Sequence, residues 1–288
     1  MDVKIYPGIK NAILLCLLVL GIQFVTGLII GLLQVILKMS DASLFVGVLT
    51  ALTSIVSFGI VLLIGFKKAK RTFNGIFKFN NVSPLLWAAT ILFTTGYVMV
   101  SSELDNILNF ILPMPEILKD IFETLAAQQI FVFALITMAI IPAFTEELLF
   151  RGLILDGLAG NYTKRKAIIL SALFFGLIHL NPWQFLTAFC IGLFSAWICI
   201  NTNSIWPSIY IHLFNNALYT ITARFDNLIP IKGFNNNYAI PVEFQPLWFD
   251  ITGAMVLILG ILLLKKGFAA RNSGTKFHMK PEYYSAST

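Results

Sequence analysis

Glu146 and Glu147 stand side by side, and Arg151 follows one helical turn after Glu147. At that spacing Glu147 and Arg151 share a helix face, whereas Glu146 points about 100° away from its neighbour. One carboxylate can therefore be held by the arginine while the other is left for chemistry. The same residues would also suit a plain buried ion pair beside a protonated glutamate. Two later segments carry polar groups one turn apart, Phe175 with His179 and His212 with Asn216. A glutamate and a histidine can share the deprotonation of a water, and a histidine and an asparagine can donate hydrogen bonds to a developing oxyanion. Together these groups could hydrolyse an amide. Glu146, His179 and His212 could instead ligate zinc, which accepts both ligand types. The chain has no HExxH pattern, so such a site would be assembled from separate helices.

These groups sit in apolar surroundings. The 288 residues are 58% hydrophobic and 12% charged, with a mean hydropathy of +0.83. A charge at the centre of a membrane helix costs about 2.5–3.5 kcal/mol on insertion scales, so three in six positions must pair, reach water or act. Continuous apolar runs of about 20 residues indicate an all-α, polytopic membrane helix bundle; a barrel would alternate polar and apolar residues. The net charge of +6 comes from residues at the ends of apolar runs, which read as topology signals and not as a nucleic-acid face. Cys16, Cys190 and Cys199 all lie in apolar segments without a CxxC pattern, as small buried residues.

About eight spans position the polar groups, over 11–37, 42–66, 82–100, 130–158, 167–181, 183–200, 205–221 and 247–264. The acidic segment 101–129 carries a Pro113/Pro115 break and then an amphipathic pattern, apolar at 117, 118, 121, 122 and 125, that suits a short surface helix. Pro142 predicts a kink or local unwinding just before the carboxylates. Ser204 is placed to cap the seventh helix. With the N-terminus cytoplasmic, the basic clusters 67–71, 164–166 and 265–276 all fall inside and 101–129 falls outside, leaving both termini cytoplasmic. One feature of this layout fits imperfectly. Counted from the cytoplasmic ends, Glu146 lies about 8 Å above Arg151, His212 about 10 Å above Ile205, but His179 about 20 Å above Lys166. No internal repeat or soluble domain is evident, so 1–288 reads as a single integral-membrane domain with residues 130–221 as its core.

The three segments together resemble the CPBP family of intramembrane proteases, also called the CAAX-processing or Abi family. Its motifs EExxxR, FxxxH and HxxxN read here as Glu146, Glu147 and Arg151; Phe175 and His179; His212 and Asn216. The resemblance covers roughly residues 130–221. It implies peptide-bond hydrolysis at the membrane, with Glu146 and His179 activating water, His212 and Asn216 stabilising the oxyanion, and Glu147, Arg151 and Phe175 supporting them. The family is commonly classed as metalloproteases, and a metal-independent glutamate mechanism is equally compatible with these residues, so a divalent metal such as zinc is left open. The implied partners are the lipid bilayer and a peptide or membrane-protein substrate, with no nucleic acid, in a bacterial cytoplasmic membrane. Two competing readings are a non-proteolytic scaffold or immunity protein of the same fold, and a transporter using the Glu/His/Arg cluster as a proton relay.

Overall fold

Within a bilayer no water is available to backbone N–H and C=O groups, so an apolar run satisfies them internally by becoming a helix. The computed structural model describes residues 5–38, 44–119, 130–225, 228–235 and 241–275. Its helices are α1 (Ile9–Leu37), α2 (Leu44–Ala69), a single turn α3 (Phe73–Ile76), α4 (Pro84–Ile111), α5 (Phe131–Asn161), α6 (Lys164–Leu177), α7 (Pro182–Thr202), α8 (Trp206–Arg224) and α9 (Leu247–Thr275). Six of them are long and apolar enough to cross a membrane. The expected count of about eight is thus approximate, and the exceptions are α6 and α8. At 14 residues α6 spans only about 21 Å, and α8 is interrupted by His212, Asn215 and Asn216. Those two helices carry Phe175, His212 and Asn216 of the candidate site, and His179 follows directly after α6.

The basic segments gather at one end. Asp156, near the end of α5, pairs with Arg71 and with Lys78 at 2.8 Å. Arg271 of α9 donates to Asn201 O at 3.0 Å, and Ile5 N donates to Asn161 Oδ1 at 3.0 Å. Ser204 is not the cap expected of it, since Ile205 occupies the N-cap of α8 without a side-chain cap bond; the Ser204 hydroxyl donates instead to Asn80 O at 2.7 Å, and the Trp206 amide reaches it at a long 3.4 Å. At the opposite end Trp183 Nε1 donates to Leu112 O at 2.7 Å and Asn235 N to Ser102 Oγ at 2.8 Å.

The third span is longer than its hydropathy predicts. α4 continues past Val100 to Ile111, so Glu103 and Asp105 belong to it and not to a separate surface segment. Glu103 accepts from Asn106 at 2.8 Å and from Gln245 N at 3.0 Å, contacts that carry its charge within the fold. The rest of the expected amphipathic helix, 120–129, and the basic tail after 275 lie outside the described residues.

α4 and α9 pack backbone to backbone. A Cβ on Gly96 would stand 2.2 Å from Leu257 N, and one on Gly260 would stand 2.5 Å from the Phe93 backbone. In a membrane, where lipid is as apolar as leucine, such close approach between small residues is a main source of helix association. Gly96→Val is therefore expected to wedge α4 from α9 at a cost of about 1–3 kcal/mol or more. Thermal unfolding of the purified protein in detergent measures this; an unchanged midpoint would contradict the packing.

The depth mismatch between Glu146 and His179 disappears in three dimensions. α5 runs on to Asn161, ten residues past Arg151, and α6 begins at Lys164. Counted from that hairpin, Glu146 in α5 and His179, two residues past the end of α6, both stand about 22 Å up.

Candidate active site

Pro142 shapes the carboxylate helix. It has no N–H for the carbonyl of Met138, four residues earlier, and α5 departs from regular winding in two wide, π-helical stretches, Ile136–Ile140 and Leu148–Ile154. The expected distortion before the carboxylates is present, and a second one follows them. The carbonyl that Pro142 cannot serve is taken by another helix: Asn216 Nδ2 of α8 donates to Met138 O at 3.1 Å. In the second wide stretch Ser171 Oγ donates to Phe150 O at 3.1 Å, tying α6 to α5.

Glu147 and Arg151 form an ion pair at 2.8 Å, with both side chains fully buried. The guanidinium N–H groups find no well-aligned acceptor among the described residues, so the contact is ionic more than hydrogen-bonded. Arg151 also lies 4.2 Å above the centre of the Phe175 ring. Phe175 packs edge-on against His179 at 5.3 Å and His212 at 5.5 Å. The phenylalanine thus sits against the arginine and both histidines, and one ring spaces three of the motif side chains.

Each histidine is fixed through Nδ1. α6 ends at Leu177, and Leu180 adopts a left-handed conformation (φ 50°) before Asn181 caps α7. His179 occupies this turn, and its Nδ1 contacts Phe175 O at 2.8 Å. A carbonyl can only accept, so Nδ1 carries the proton and Nε2 presents a lone pair. His212 Nδ1 lies 3.0 Å from Glu147 Oε1, which orients it in the same way. Glu147 is thus shared between Arg151 and His212, a link between α5 and α8 that spacing within one helix could not reveal.

Glu146, Phe175, His179, His212 and Asn216 line one cavity of about 200 Å³. Glu147 and Arg151 stand behind it and are not part of its wall. Glu146 Oε2 is shielded from solvent and accepts no hydrogen bond from a described residue. Sequence reasoning did not single out Gln184 or Asn215, which also line the cavity. The Asn215-Asn216 doublet on an apolar helix was the available signal for the second of these. The donor types suit zinc, but among the described residues no three His, Cys, Asp or Glu side chains come together closely enough to hold a metal ion. Cys16 and Cys199 are buried, Cys190 is half-buried, and all three are free thiols.

A family comparison falls on this part of the chain. Residues 128–218 match the family model of the Rce1-like type II CAAX prenyl endopeptidases. The matched segment runs from the start of α5 into α8 and contains every residue of the three motifs. No curated protein and no solved structure matches the chain. The match makes this segment similar to a family of endopeptidases, and the six long apolar helices indicate an integral membrane protein.

Proposed function

We propose that the cavity hydrolyses a peptide bond of a membrane-associated peptide or protein, using a water activated by Glu146 and His179. The observation that carries this reading is the buried, unpartnered Glu146 Oε2 in the same cavity as His179, whose Nε2 lone pair is left over by the Nδ1 contact. Water gives its proton to this pair as its oxygen attacks the carbonyl carbon, and the pair returns the proton to the departing amine. The oxyanion formed is met by His212 and Asn216. Asn216 has two amide hydrogens and spends one on Met138 O, leaving the other to donate. With Nδ1–H turned to Glu147, His212 donates through Nε2 only as an imidazolium, whose charge Glu147 offsets. Glu147, Arg151 and Phe175 are positioning residues. The end of the bundle bearing the lysine and arginine clusters faces the cytoplasm, with both termini there.

The test is cleavage of membrane-associated peptides by purified protein before and after exhaustive chelation, with metal content measured on the same samples. Cleavage that persists without metal is expected. Activity lost on chelation and restored by zinc would replace this water-activation scheme with a metal-based one.

A further inference from the structure

A second cavity, of about 290 Å³, adjoins the first and shares Gln184, Thr187, Asn215 and Asn216 with it. It lies at the end of the bundle away from the basic clusters, where Met114, just past α4, and Asn235 of the 228–235 loop help to line it. Its polar wall is mostly amides and hydroxyls. Among the described residues that line it, Asp105 is the one charged side chain. The hydrogen bond recorded at Asp105 uses its backbone carbonyl, which accepts from Asn109 Nδ2 at 3.1 Å; its carboxylate engages no described residue. Among the described residues, the titratable neighbours recorded against it, Tyr97 and Cys190, bring no positive charge.

An intramembrane carboxylate without a counter-charge is costly, and such groups mark binding or transport sites. Side-chain amides both donate and accept, so they can pair with the N–H and C=O of an extended polypeptide. An isoprenyl chain in this cavity would strip water from the same groups and return no hydrogen bond. A lysine or arginine side chain would supply the missing cation through a charge-assisted bond.

We propose that the second cavity is the subsite for substrate residues flanking the cleaved bond, and that Asp105 selects a lysine or arginine there. The inference rests on the proteolytic reading of the adjoining cavity. The substrate class is then a polypeptide with a basic residue near its cleavage site, reached from the end of the bundle opposite the basic clusters.

The test uses a library of quenched fluorogenic peptides differing at one flanking position as Lys, Met or Glu, with full-length protein in detergent. The wild type is expected to cleave the Lys peptide preferentially. Asp105→Asn should lower the Lys-to-Met ratio of kcat/KM about 10- to 100-fold, and Asp105→Lys should turn the preference towards Glu. Binding of the same peptides to Glu146→Ala protein, by fluorescence anisotropy, gives a readout independent of turnover. Lys-selective binding that Asp105→Asn abolishes, without any cleavage by the wild type, would keep the subsite and sink the proteolytic reading. Cleavage or binding with no Lys preference, or a preference unchanged in Asp105→Asn, would overturn the subsite.

Discussion

Glu146→Ala is expected to reduce peptide cleavage by at least about 10³-fold, the scale at which a general base contributes when no neighbour can replace it. The protein should nevertheless insert, purify and unfold at the wild-type temperature or slightly above it. Glu146 is half-buried, and its Oε2 accepts no hydrogen bond from a described residue, so its removal breaks no hydrogen bond there and takes away only an attraction to Arg151 that Glu147 supplies more strongly. Stability that survives the loss of activity would separate a working carboxylate from a structural one. Purified protein assayed at equal concentration, with thermal unfolding measured in parallel, gives both numbers. Wild-type cleavage in the variant would remove Glu146 from the mechanism, and a large fall in melting temperature would make it part of the brace.

Its neighbour should behave in the opposite way. Glu147→Ala leaves Arg151 buried with no counter-charge and takes the carboxylate away from His212 Nδ1. Breaking one side of a buried ion pair costs about 3–5 kcal/mol, which corresponds to roughly 10 °C in melting temperature. Activity falls as well, because His212 loses its orientation. Replacing both partners with apolar or neutral groups of similar shape, Glu147→Gln with Arg151→Met, should recover much of the stability, since no unpaired charge is then buried. It should not recover activity, because the anion that supports an imidazolium at His212 is still missing. Full activity in the double variant would show that the pair serves folding alone.

The two glutamates differ because of where α5 turns them, and the division was legible before any coordinates. Glu147 shares a face with Arg151 by spacing, and Glu146 does not. The companion motifs were equally legible, since an i,i+4 polar pair on an apolar helix must face the bundle. Links between helices were not. Glu147 reaches His212 across 65 residues of chain, and Phe175 spaces Arg151 from both histidines, contacts set by packing and by no local pattern. Asp105 was misplaced for a related reason. An acidic segment after an apolar run reads as solvent-facing, but α4 continues as a helix and carries the carboxylate to a cavity wall. The depth of the site was obscured by counting from Arg151, which the structure places well inside α5.

Asn216 serves Met138 O because Pro142 cannot. A side chain on one helix stands in for a backbone amide missing from another, so the two positions are coupled in their effects. With proline at 142, a substitution at 216 that removes the donor strips a helix hydrogen bond along with the proposed oxyanion contact. With alanine at 142, the backbone can serve its own carbonyl, and position 216 answers to chemistry alone. The proline thus makes the asparagine necessary twice over, and variation at one position constrains what the other can become.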